Sequence, residues 1–178
     1  MGFNPVNNHQ TSISALGNIG SASPRQLVQI ADVKSAGVAA GTFSSGAWRT
    51  RVLNTIDIDE LGTITLSSNQ VTLQPGTYEF EASAPAFRVD RHRVRLHNIT
   101  DNTTVQFGQG AFSNNNQIST YNVGDLTVSS VSGKFTITSS KVFELQHRCQ
   151  TTVSDNGFGQ ETNFGDPERY AVIRFWKV

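Results

Sequence analysis

Residues 74–98, QPGTYEFEASAPAFRVDRHRVRLHN, constrain the fold more than any other stretch of the chain. Tyr78, Phe80 and Ala82 alternate with Thr77, Glu79 and Glu81, the period of two of a strand with one buried face. Further on, His92, Val94 and Leu96 alternate with Arg91, Arg93, Arg95 and His97. Folding the chain about Ala84-Pro85-Ala86 sets Glu81 opposite Arg91, Glu79 opposite Arg93, and Tyr78 opposite Val94. Opposite charges across a ladder contribute roughly 0.2–1 kcal/mol each, and a slip of one residue would turn every side chain to the wrong face. The expectation is a hairpin whose register is written in the cross-strand pairs Glu79–Arg93 and Glu81–Arg91.

The remainder of the chain follows the same rule. Residues 38–43 and 48–56 read as strands, as do 63–66 and 70–73 around the turn Ser67-Ser68-Asn69. Thr100-Asp101-Asn102-Thr103 is turn chemistry, and pairing about it sets Leu96 opposite Phe107 and Asn98 opposite Val105. A long polar loop is expected over 108–122. Strands follow at 126–138, with Val131, Phe135 and Ile137 inward, and at 141–151, with Phe143, Leu145, His147 and Cys149 on one face. The glycine- and asparagine-rich loop 155–167 leads into a last strand, 170–178. About ten short strands at even spacing, with no helix in the body of the chain, predict an all-β, antiparallel, two-sheet sandwich or jelly roll. In the last strand Tyr170, Val172, Trp176 and Val178 share one face while Ala171, Ile173 and Phe175 share the other. A strand apolar on both faces is covered on both. One face meets the core; the other is expected to meet another subunit, with folding-over of loop 155–167 as the alternative.

Residues 1–34 differ in kind, being rich in Asn, Ser, Gly and Gln. The isolated apolar residues Phe3, Val6, Ile13, Leu16 and Ile19 cannot build a core of their own. They are expected to form an extended arm, residues 1–36, that orders against a partner ahead of a head domain, residues 37–178. Ser23-Pro24 could open a short helix carrying Leu27, Val28 and Ile30.

Composition narrows the function. Of 178 residues 37% are hydrophobic, including eleven Phe and two Trp, enough for one packed domain. Fourteen Lys and Arg balance fourteen Asp and Glu, which argues against a nonspecific nucleic-acid binder. No run is long enough to span a membrane, and the first residues lack a signal-peptide pattern. Cys149 stands alone, so no internal disulfide is expected. His9, His92, His97 and His147 are scattered, without a catalytic motif, and no catalytic residue or cofactor is expected. Asp57, Asp59 and Glu60 could offer oxygens to a hard cation, but a solvated acidic turn is the expected reading and no metal is assigned. The stripe Arg91, Arg93, Arg95, His97 could form an anion or sugar-acid site; neutralisation by Glu79 and Glu81, with Glu144 or neighbouring chains supplying the rest, is the favoured alternative. Phe112, Tyr121, Phe158 and Phe164 on the two long loops could stack on sugars or simply pin those loops.

PGTYEFEASAPAF resembles the central motif of the globular heads of complement subcomponent q and tumour necrosis factor. With AGTFSSGAWRTRVLNT, APAFRVDRHRVRLHN, FELQHRCQTT, NGFG, NFG and the terminal RFWKV, it is similar to bacteriophage structural proteins carrying such a head. The resemblance covers residues 38–178. It implies a ten-stranded jelly roll, a homotrimer about a threefold axis, and a non-enzymatic place on the phage particle. A chain starting at Met without a long shaft leans towards a capsid-decorating knob fixed by its arm to other virion proteins. The alternative is a fibre tip that binds a host-surface carbohydrate.

Overall fold

In a computed structural model the structure describes residues 24–115 and 125–178. Their elements are β1 (Gln26–Lys34), β2 (Arg49–Thr50), β3 (Thr55–Asp59), β4 (Thr65–Ser67), β5 (Gln70–Leu73), β6 (Gly76–Phe87), β7 (Asp90–Asn98), β8 (Thr103–Ser113), β9 (Leu126–Ile137), β10 (Lys141–Cys149) and β11 (Glu168–Lys177). One sheet has the order β3-β1-β11-β6-β9 and the other β4-β5-β10-β7-β8, with β2 added to β10. All pairings are antiparallel. Val28, Ile30, Tyr78, Phe80, Ile173 and Phe175 of the first sheet meet Val94, Leu96, Phe143 and Leu145 of the second in the main core. A second cluster, with Phe43, Val89, Cys149, Phe158 and Tyr170, closes one end. This is the expected jelly-roll sandwich.

The expected central hairpin does not form. β6 and β7 lie in different sheets, and the chain crosses between them at a sharp corner where Arg88 and Asp90 have φ of 58° and 60°. The inward sets that suggested one shared face, Tyr78-Phe80-Ala82 and Val94-Leu96, instead face each other across the core. Burial alternation is the same in either arrangement, so it could not choose between them. Glu79 lies opposite Lys134 and Trp176, and Glu81 opposite Ser132 and Arg174. Arg93 lies opposite Arg148 and Gly110, and Arg91 opposite Phe112. The pairs Glu79–Arg93 and Glu81–Arg91 are therefore absent.

Residues 26–34 form a strand in place of a helix or arm. β1 sits between β3 and β11, and Val28 and Ile30 are both 0% exposed. The folded body thus includes β1, well before residue 37. Phe3, Val6, Ile13, Leu16 and Ile19 lie outside the described residues.

Smaller differences follow, the first because hydrogen-bond partners change sheets along the chain. The expected strand 48–56 breaks because β2 pairs with β10 whereas β3 pairs with β1. Between them the Arg51 N–H donates to Leu145 O at 2.8 Å and the Asn54 N–H to Ala31 O at 3.0 Å. Residues 38–43 make a single bridge, Phe43 to Val153. Across the 100–103 turn Asn98 opposes Thr103 and Arg95 opposes Phe107, a tighter register with two irregularities. β8 runs on to Ser113, into the stretch expected as loop. Gly108 shows why: a Cβ there would lie 2.4 Å from Ser130 O, so the glycine permits close passage of β9. The β4–β5 turn is as expected, with Ser68 and Asn69 at φ of 52° and 64°.

Candidate functional site

The outward face of the six-stranded sheet carries Arg91, Arg93, Arg95 and His97 from β7. Beside them stand Glu144, Gln146 and Arg148 from β10, and Phe107, Gly110 and Phe112 from β8. It divides into two halves with opposite character.

The half around Glu144 is internally satisfied. Its carboxylate accepts from Thr50 Oγ1 at 2.8 Å, Gln70 Nε2 at 2.8 Å and Gln146 Nε2 at 2.7 Å. Burial alone would raise its pKa, but these hydrogen bonds outweigh burial and hold the carboxyl below its usual range. Arg95 donates to Gln146 Oε1 from Nε at 2.9 Å and from Nη2 at 2.6 Å, and to Thr104 Oγ1 at 2.9 Å. Its guanidinium also lies 4.3 Å from the centre of the Trp48 ring. His97 is buried beside it, and burial followed by the Arg95 charge lowers its pKa.

The other half is a shallow groove of about 910 Å³ lined by Trp48, Arg91, Arg93, Gly110, Phe112 and Arg148 among others. Arg93 and Arg148 stand directly opposite each other across the β7–β10 ladder. Among the described residues Arg91 donates to Gln150 Oε1, at 3.3 Å. The Arg93 guanidinium lies 5.9 Å from the Phe107 ring centre. Among the described residues none of these three makes a salt bridge. Arg91 and Arg93 thus stand without the glutamates expected to neutralise them. Those glutamates serve the other sheet: Glu79 contacts Arg25 and lies 3.5 Å from Lys134, and Glu81 bonds Arg174 at 2.7 Å.

The remaining predicted residues scatter. Phe112, 56% exposed, flanks the groove opposite Arg91, whereas Phe164, 86% exposed, stands outside it. Phe158 is buried, stacked on Phe43 at 4.3 Å with Arg51 4.2 Å above its ring, so it pins its loop and is no ligand platform. Tyr121 lies outside the described residues. In β11, Val172 and Trp176 point outward while Tyr170 turns into the end cluster and donates to Val38 O at 2.8 Å. Gly159 passes so close to Tyr170 that a Cβ there would sit 2.5 Å from its ring. Loop 155–167 therefore covers this end, and Tyr170 is not on the open face. Asp57 is held by Arg169 and Gln29, Asp59 caps Leu61 and Gly62, and Glu60 accepts from Leu27 N–H. Among the described residues no group of acidic, His or Cys side chains could hold a metal.

The sequence placed His92 and His147 inward, as they are, but it missed the buried Arg51 and Asp32 that join them in a polar cluster between the sheets. Arg51 is fully buried and donates from Nη1 to Phe158 O at 3.0 Å and Pro85 O at 3.3 Å. Burial pulls its pKa down to about 9, opposed by the charge of Asp32, itself buried on β1. The signal was parity: Arg51 shares its face with Leu53, which is in the core. His92 Nδ1 lies 2.9 Å from His147 Nε2, and His92 Nε2 lies 2.7 Å from Thr127 Oγ1. His147 Nδ1 is buried with no partner, and an orphaned lone pair costs less than an orphaned N–H. His147 Nε2–H therefore donates to His92 Nδ1, and His92 Nε2–H donates to Thr127. Both rings are neutral, their pKa values lowered first by burial and then by Arg51. Burial pushes the Cys149 thiol up to about 11, which leaves it a poor nucleophile at neutral pH.

No protein-family model and no curated protein matches the chain. Among solved structures it is similar to the globular domain of zebrafish complement 1qA protein, at 16% identity and a TM-score of 0.51. The likeness covers 86% of this chain and 97% of that one. It is also similar to murine APRIL at pH 5.0, at 8% identity and a TM-score of 0.55, over 86% and 99% of the two chains. At such identities the likeness speaks to fold alone, and the chain is an all-β jelly-roll sandwich of that kind.

Proposed function

We propose that the chain is a non-enzymatic structural knob of a bacteriophage particle, a homotrimeric jelly-roll head exposed on the virion surface and attached through its first two dozen residues. The observation that carries the assembly is the outward face of the five-stranded sheet. Val172 and Trp176 from β11 stand there with exposed Ile58, Leu126 and Val128 from its edges. Between them lie the ion pairs Glu81–Arg174 and Arg25–Glu79–Lys134. Apolar residues interleaved with mixed charges suit a contact between copies of the chain, and closed rotational symmetry buries such a face on every copy. The phage assignment is supported by the motifs from residue 41 to the terminal RFWKV. A trimer mass is expected from light scattering coupled to size exclusion, and a monomer at micromolar concentration would overturn the assembly. Immunogold labelling is expected to mark intact particles, and unlabelled particles from a producing host would overturn the virion role.

A further inference from the structure

We infer that the groove between Trp48, Phe112 and the arginines of β7 and β10 binds an acidic polysaccharide, a chain of sugar rings bearing carboxylates. The reading goes beyond the structural role proposed above and stands whether or not the head is trimeric.

The first support is an uncompensated charge built into the sheet. Arg93 and Arg148 are cross-strand neighbours, and like charges directly opposite each other destabilise a ladder. Arg91 adds a third guanidinium two residues along the same face. Of the carboxylates in the sheet, Glu144 is committed to Thr50, Gln70 and Gln146, and Asp90, next to Arg91 on β7, accepts from Thr151 Oγ1. A face that keeps three guanidiniums together at a cost to the free protein is relieved by an anion. Carboxylates, like phosphates, match the planar guanidinium fork through two parallel hydrogen bonds, and the choice between them rests on shape and charge count.

The second support is shape. Gly110 lies opposite Arg93, and a Cβ placed on it would meet nothing within 4 Å. The floor of the groove is thus bare, and it is open along the sheet. Phe112, 56% exposed, and Trp48 border it with ring surface, and Phe107 packs behind Trp48. Flat apolar rings beside a few directed polar groups suit the two sides of a sugar ring, apolar C–H faces and polar edges. Strand geometry places the Cα atoms of Arg91 and Arg93 roughly 7 Å apart, and that of Arg148 about 5 Å across the ladder from Arg93. Such an array engages charges that recur along a chain, where a shallow groove would hold one sugar weakly. Nucleic acid fits less well: the chain has no net charge, and three guanidiniums neutralise few phosphates.

The test is calorimetric titration of the full-length protein with oligogalacturonate and with hyaluronan oligosaccharides. Neutral dextran oligomers and oligothymidylate serve as controls. Binding to at least one carboxylated chain is expected, weakening as salt rises, with none to dextran. Arg93→Gln and Arg148→Gln should each weaken it by about tenfold or more while leaving the thermal midpoint of the free protein unchanged or higher, because the like-charge pair is gone. A merely structural arginine would lower that midpoint. Gly110→Val, which fills the floor without disturbing the strand, should weaken binding to the same degree, and Arg174→Gln on the opposite sheet should not. The inference is overturned if neither carboxylated chain binds, if oligothymidylate or dextran binds as tightly, or if the groove variants bind like the wild type.

Discussion

Acidification should unfold this protein through its histidine pair before its surface carboxylates titrate. His92 is 3% exposed and bonded to His147 and Thr127, a contact that cannot survive protonation of both rings, and burial with the Arg51 charge disfavours even the first added proton. Its pKa is lowered to about 4 in the fold, by burial and then by Arg51. In the unfolded chain a histidine protonates near 6.5. Between these values the unfolded state binds the extra proton, so stability falls as pH drops from about 6.5 to about 4 and the loss levels off below. The gap corresponds to about 3 kcal/mol for His92 alone. His147, held well below its ordinary value by burial, Arg51 and His92 in that order, adds to the loss with the same sign. Asp32 opposes it: burial raises its pKa, so its neutral form is favoured in the fold and its contribution grows as pH falls towards the unfolded value. The assay is urea unfolding at constant protein concentration and ionic strength across pH 7.5 to 4, for the wild type and His92→Gln. The wild type should lose stability steeply in the window, and the variant, whatever its absolute stability, should show a shallower slope. Equal slopes, or wild-type stability that rises on acidification, would refute the neutral-pair reasoning.

Two further predictions concern the fold. Ile30→Ala should destabilise by about 2–5 kcal/mol in urea titrations, because the side chain is wholly buried in β1; removing residues through 34 should abolish folding. A near-neutral Ile30→Ala would mean that β1 does not belong to the core. In double-mutant cycles Glu81 and Arg174 should couple by about 0.5 kcal/mol, as exposed pairs do, while Glu79 and Arg93 on opposite sheets should not couple. Measurable Glu79–Arg93 coupling would restore the hairpin.

The candidate groove was half legible. The β7 stripe and Phe112 stood out in the sequence, but Arg148 and Trp48 did not, although parity placed Arg148 outward on β10. Nothing local told which strand would lie beside β7. The sequence-level reading assigned Glu79 and Glu81 to Arg91 and Arg93 because neighbouring strands in the chain are often neighbours in space. That rule fails at most connections of this fold, the β6–β7 corner among them, and with it went the argument that the arginines were neutralised.

By itself, the sequence determined which residues are inside. Alternation placed Tyr78, Phe80, Val94, Leu96, Val131, Phe143 and Leu145 correctly, since a strand has two faces and burial selects one. It also determined the turn at Ser68-Asn69, where the backbone must adopt positive φ. Only the tertiary structure decided what each strand lies beside. β1 gained its place from hydrogen bonds to β11 and β3, far along the chain, and Arg51 its burial from the loop that brings Phe158 over it. Pairing depends on backbone groups that every residue carries alike, so the side-chain pattern names a strand's buried face without naming its neighbour.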